Sequence, residues 1–280
     1  MLKCYMDESG LGKQVSDVIC CIAGFQGRNP LWISFEEEWA RTLEQYGIDE
    51  FHAKEFWARD ASGGLVGKYR GWTFDHANSF ISDLVRIIQR HKLYMLAAVV
   101  NLADFFSYDI EERRFLTGAT FDVAKWRFIT TGKPSTAYFV ALNAVVMQGV
   151  KRSAEGRQLC HFIFDEQDQY ASLAKDRIAQ LRNSSRGKGI REYLGDAGYF
   201  PSRRVRALQS ADLAAHLCKE YYKREMTGRP LDIEYRSVLT PLEILTHILN
   251  DDNYAFFKIG KKEMDAMLED IAQGGSDGKE

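Results

Sequence analysis

The chain has little that would attract a partner from a distance. Its 37 basic and 39 acidic residues leave a formal charge of -2, so no global field points to nucleic acid or an anionic membrane, and either would have to be met by a local patch. The five cysteines, Cys4, Cys20, Cys21, Cys160 and Cys218, include no C-x-x-C pair. That argues against a zinc site and a disulfide framework and leaves them as reduced core residues. No apolar run reaches membrane-spanning length, and Asp7 and Glu8 stand where an export signal would carry its apolar stretch. The expectation is a soluble, cytoplasmic protein with no membrane partner. The chain also lacks G-x-x-x-x-G-K-[ST] and any comparable glycine-rich loop after a strand, which weighs against a compact phosphate cradle. There is no internal repeat, and the only low-complexity segment is the terminal GGSDGKE.

What is present is a large apolar fraction, 45% of 280 residues, enough for the core of one enlarged α/β domain. Residues 2–6 and 18–25 read as strands joined in a hairpin, and 93–102 as a strand buried on both faces. Asn29-Pro30 opens a helix to about Tyr46, with Leu31, Phe35, Trp39 and Leu43 repeating at fours. Further helices are expected near 74–91, 134–151, 170–182 and 207–226, and a strand at 159–168 ending in acids. Residues 49–56 fit either a short strand or a helix start, and 103–132 read as mixed, mainly helical. Residues 183–206 read as a glycine- and arginine-rich loop, and the part from Pro230 as a helical extension containing the helix-like PLEILTHIL and KKEMDAMLEDIAQ, ahead of a disordered tail at 273–280. A hairpin first, then strands alternating with helices, is the order of a ribonuclease H-like mixed sheet, and other α/β folds share it.

Carboxylates sit at the ends of these core elements. Asp7 ends the first strand, Asp165 and Glu166 end the strand near 162–165, and Asp212 borders the apolar stripe Leu208, Ala211, Ala215, Cys218. Each has an ordinary role open to it: Asp7 as a turn cap, Asp165 as a helix cap, Asp212 as a partner for arginine. Taken together, however, unpaired carboxylates gathered at sheet ends are costly unless cations neutralise them. Magnesium or manganese accepts hard oxygen ligands, and two such ions can activate water and stabilise a leaving oxygen in phosphodiester cleavage. Glu8 reaches the same site only if the chain turns there, because alternation otherwise sends it to the opposite face. His52, beside Lys54 and Glu55, is placed to move a proton or contact phosphate. His216, one helical turn after Asp212, is placed to orient it.

Four stretches make the chain recognisable: Y-x-D-E-S-G at 5–10, F-H-A-K-E at 51–55, F-D-E at 164–166 and L-Q-S-A-D-L-A at 208–214. In this order they resemble the bacterial family described as domain of unknown function 3800, over residues 1 to about 225. The resemblance implies a ribonuclease H-like domain at 1–228, and the pattern of the remaining chain makes 229–272 a helical extension packed on it. It also implies a metal site held by Asp7, Asp165 and Asp212, with Glu8 and Glu166 behind them. Ribonuclease H-like nucleases add a glutamate from a helix after the hairpin. Here Glu36, Glu37 and Glu38 lie in that helix, mostly on its outer side, and Glu50 or Glu55 are the substitutes.

A basic cluster precedes the Asp212 helix: Arg182, Arg186, Lys188, Arg191, Arg203, Arg204 and Arg206, interleaved with Tyr193, Tyr199 and Phe200. It offers counter-charge for a phosphate backbone and stacking surfaces for bases. The expected function is therefore Mg²⁺- or Mn²⁺-dependent hydrolysis of DNA or RNA, with Asp7, Glu8, Asp165, Asp212 and His52 as candidate catalytic residues. A homodimer or a partner protein is open in either case, and one rival is a catalytically inert nucleic-acid-binding or assembly module of the same fold. The other is a small-molecule phosphohydrolase.

Overall fold

Runs of branched and apolar residues at 19–25 and 95–100 build the middle of a sheet that is covered on both faces. The computed structural model describes residues 1–10, 18–118, 121–122, 127–128, 133–166, 171–183, 192–228, 239–249 and 253–274. The fold is α/β, a mixed six-stranded sheet flanked by helices. The strands are β1 (Leu2–Ser9), β2 (Ile19–Arg28), β3 (Tyr94–Asn101), β6 (Cys160–Asp165), β7 (Leu194–Phe200) and β8 (Tyr254–Ile259), in the order β7-β6-β1-β2-β3-β8. β4 (Phe121–Asp122) and β5 (Arg127–Phe128) form a separate small pair. β1, β2 and β3 are antiparallel, while β6 runs parallel to β1 and β7 parallel to β6. That arrangement is consistent with a ribonuclease H-like sheet.

Helices α1 (Asn29–Gln45), α3 (Phe74–Arg90), α8 (Ala207–Thr227) and α9 (Pro241–Leu249) cover one face, packing on Tyr5, Ala23, Phe25 and Ala97. α2 (Ala53–Phe56) joins them through Ala53 and Phe56. The other face, with Cys4, Met6, Ile22 and Phe162, is covered by α4 (Leu102–Ser107), α5 (Ile110–Leu116), α6 (Tyr138–Glu155), α7 (Ala171–Asn183) and α10 (Lys261–Gly274). Leu208, Ala211, Ala215 and Cys218 are all buried, so α8 lies close on the sheet as its small residues require. In α1 the buried residues are Trp32, Phe35, Trp39, Thr42 and Leu43, whereas Leu31 is exposed. The stripe follows the 3.6-residue period from Trp32, not a strict repeat of four from Leu31.

Four strands depart from the sequence expectation: the short pair β4 and β5 falls in 103–132, read as mainly helical, and β7 and β8 fall in later segments read as loop and helix. The 183–206 segment is not all loop, because 194–200 forms β7 on the sheet edge. LGDAGYF has no strand-like alternation, and its place is set by close packing: a Cβ on Gly195 would lie 2.8 Å from the Cys160 carbonyl oxygen. Nor is the chain beyond Pro230 wholly helical, since Tyr254–Ile259 pairs parallel with β3 as β8. Among the described residues no helix is long and apolar enough to cross a membrane.

Candidate active site

β1 and β6 are adjacent and parallel, with Met6 opposite Phe164. The next residues, Asp7 and Asp165, therefore leave the same end of the sheet, where α/β folds collect ligands at strand C-termini. Pleating puts Asp7 with Tyr5, and Asp165 with Ile163, on the face covered by α8. β1 runs unbroken through Ser9, and only then does Gly10 turn the chain, with φ +70° and no room for a Cβ against the Ile19 carbonyl. Glu8 consequently projects to the opposite face, opposite Ile22, where its charge raises the hydroxyl pKa of Tyr138 and Tyr199, secondary to their burial. The turn at Glu8 that would bring both acids to one site does not occur.

Asp212 comes to the site from α8. Its Oδ2 accepts a hydrogen bond from the Ala53 amide at 2.8 Å, which fastens the start of α2 to α8. His52, immediately before, has Nδ1 3.8 Å from Asp212 Oδ2 and Nε2 3.4 Å from Glu50 Oε2. Glu50 Oε1 accepts from the Ser202 hydroxyl at 3.0 Å, and the Ser202 amide donates to Asp165 Oδ1 at 2.9 Å. A continuous chain of contacts thus runs from Asp165 through Ser202, Glu50 and His52 to Asp212. Asp165 Oδ1 also accepts from the Glu166 amide at 2.9 Å, and Asp7 Oδ1 from the Glu8 amide at 2.8 Å. Glu166 itself is exposed beyond the strand end.

The electrostatics are those of crowded like charges. Asp7 is 6% exposed. Burial pushes its carboxyl well above the ordinary value of 3.8, and the charges of Asp212, Glu8 and Asp165 push it further, against one amide hydrogen bond. Burial also raises Asp165, which the Glu166 and Ser202 amides partly offset and Asp212 reinforces. His52 is raised by the Asp212 carboxylate beside it, and less by Glu50. His216 stacks its ring on Trp57, with centroids 4.8 Å apart and planes 10° from parallel. Burial lowers its pKa to about 4 against the pull of Asp212, and its buried Nε2 has no hydrogen-bond partner among the described residues, so it stands as a neutral ring packed on Trp57.

No protein-family model matches the chain, and no curated protein matches it either.

Hard oxygen donors gathered in this way suit magnesium or manganese by donor chemistry. Among the described residues, no three His, Cys, Asp or Glu side chains converge as they stand on one point that could hold an ion. The fit is therefore one of donor type, charge and burial, and not of a preset coordination shell.

Of the other expected participants, Glu36 accepts the Ala207 amide at 3.2 Å and so caps α8, and Glu38 pairs with Arg90 and His91. Glu55 pairs with Lys68 at 3.2 Å. Glu50 is the glutamate in contact with the aspartates' neighbours. Arg186, Lys188 and Arg191 lie outside the described residues. Arg203 and Arg204 are exposed on the turn after β7 and Arg206 is half-buried at the start of α8, while Arg182 is committed to the Gly195 carbonyl and Asp196. Tyr193 and Tyr199 pack on the far face, leaving Phe200 exposed.

Sequence reasoning missed Ser202 and Gln209. Gln209 is fully buried, accepts from Trp39 Nε1 at 3.0 Å and the Phe51 amide at 3.1 Å, and donates to the Ser202 carbonyl at 3.2 Å. It ties the segment bearing His52 and the turn bearing Ser202 to α8. A polar residue inside an apolar helical stripe was the available signal for Gln209. Ser202, in a turn sequence, offered none.

Proposed function

We propose that the chain is a metal-dependent nuclease of the family described as domain of unknown function 3800, hydrolysing phosphodiester bonds in DNA or RNA in the cytoplasm. The observation that carries this reading is that Asp7, Asp165 and Asp212, from three separated elements, lie on one face with their charges acting on one another, Asp7 being raised in pKa first by burial and then by Asp212 and Asp165. Magnesium or manganese, held by these three, would neutralise their repulsion and supply an activated water and a Lewis acid at the leaving oxygen. The protein's own contribution is positioning. The Ser202 amide fixes the Asp165 carboxylate, and the Ala53 amide fixes that of Asp212. His52, half-exposed between Glu50 and Asp212, faces the acids and is held ready to pass a proton to solvent or substrate. Arg203 and Arg204 supply counter-charge for phosphate close to Asp165.

The test is cleavage of labelled single- and double-stranded DNA and RNA with Mg²⁺, Mn²⁺ or EDTA, by wild type, Asp7→Ala and Asp212→Ala. Metal-dependent cutting that both substitutions abolish supports the reading. Nucleic-acid binding that neither metal nor Asp7→Ala alters, without cutting, would establish instead an inert binding module.

A further inference from the structure

The sheet edge beside the site carries an aromatic ring that the core does not use. Phe200 ends β7, stands in register with Asp165 on β6 and is 47% exposed. Residues in register on neighbouring strands share a face, so the ring stands beside Asp165 on the aspartate face. Tyr199, one residue earlier, points the other way and stacks on Phe164 with centroids 5.3 Å apart. A large ring left half in water forgoes much of the stabilisation its burial would bring. Its backbone is nonetheless fixed, since the Phe200 carbonyl accepts the Glu166 amide at 3.1 Å. Two exposed cations, Arg203 and Arg204, follow on a turn closed by the Arg204 amide donating to the Pro201 carbonyl at 2.9 Å. An apolar flat surface, two cations and a cluster of acids thus lie within one short segment and the strand it pairs with.

We propose that Phe200 is a stacking platform for an unpaired base flanking the scissile phosphate, with Arg203 and Arg204 on the adjoining backbone, so that the site takes single-stranded nucleic acid in preference to duplex. This rests on the nuclease reading. Bases inside a duplex are covered on both faces by their neighbours, whereas an unpaired base has a free face for an aromatic ring. Stacking of this kind tolerates any sequence, because every base has a π face. Arginine beside the ring adds charge for phosphate without selecting the base.

The experiment measures affinity by fluorescence anisotropy for labelled single-stranded DNA, single-stranded RNA and the matching duplexes, with calcium in place of magnesium to hold complexes uncut. Wild type is compared with Phe200→Ala, Phe200→Tyr and Arg203→Ala/Arg204→Ala, and metal-dependent cleavage is recorded in parallel. The proposal expects wild type to prefer single strands and Phe200→Ala to weaken single-strand binding roughly tenfold. Duplex binding is unchanged, and Phe200→Tyr restores the wild-type value. The double arginine change weakens every substrate and lowers the salt dependence by about one unit per arginine. The DNA and RNA arms decide which sugar the site accepts. If wild type binds and cuts but Phe200→Ala matches it on single strands, or if duplex is preferred, the stacking proposal is overturned while the nuclease reading stands. Absence of both binding and metal-dependent cutting overturns the two together.

Discussion

Gln209 and Asp7 both bring buried polar groups to the same side of the sheet, and the fold treats them in opposite ways. Gln209 uses both ends of its amide, bonding Trp39, Phe51 and Ser202. Asp7 has one amide hydrogen bond and is surrounded by the negative charges of Asp212, Glu8 and Asp165. A core that satisfies a buried glutamine so fully is capable of pairing a buried acid as well. The like charges left together around Asp7 fit the proposed cation site, and the Gln209 hub fits the frame that would hold it.

Changes that erase this contrast should have the largest effects. Asp7→Ala and Asp212→Ala remove ligands from the proposed centre and should slow metal-dependent cleavage on the order of a thousandfold, about 4 kcal/mol of transition-state stabilisation, in single-turnover assays. Gln209→Leu strands the Trp39 and Phe51 donors and the Ser202 carbonyl. It should cost about 3 kcal/mol or more in urea denaturation and slow cleavage by loosening Ser202 and His52. If that substitution proves neutral, the hub is not the frame of the site.

Asp7→Asn should sharpen the comparison in the other direction, making the metal-free protein more stable by about 1–3 kcal/mol at neutral pH. The sign follows from the raised pKa of Asp7 and Asp165. A carboxyl whose folded pKa lies above its unfolded one contributes stability that is full below the unfolded value near 3.8, and that contribution is lost as pH rises through the folded value. Thermal melts of metal-free wild type should therefore fall as pH increases above the ordinary carboxylate range. The loss should be smaller in Asp7→Asn and reversed by added Mn²⁺. The smallest effect belongs to Glu55, paired with Lys68 at the surface. Glu55→Gln should change stability by under about 1 kcal/mol and leave cleavage intact, whereas Glu50→Gln should slow it.

The central strands, the long helices and the placement of Asp7, Asp165 and Asp212 on three core elements were legible in the sequence. Continuous apolar runs such as 95–100, and a small-residue stripe on α8, have few other structural uses. Glu8 shows where legibility ends. Its side of the sheet depends on whether β1 turns at residue 8 or runs to Ser9, a single-residue difference that alternation alone cannot fix. β7 and β8 were hidden because edge strands take their order from pairing with β6 and β3 and carry weak patterns of their own. Ser202 was hidden because its role is made by long-range contacts with Glu50 and Asp165, which no local spacing records.

The most direct test of the account is calorimetric titration of Mn²⁺ into wild-type protein and into Asp7→Asn. Saturable binding in wild type that weakens at least tenfold in Asp7→Asn is the predicted result. Equal binding in the two proteins, or none in wild type, would contradict it and make the aspartate cluster a structural feature.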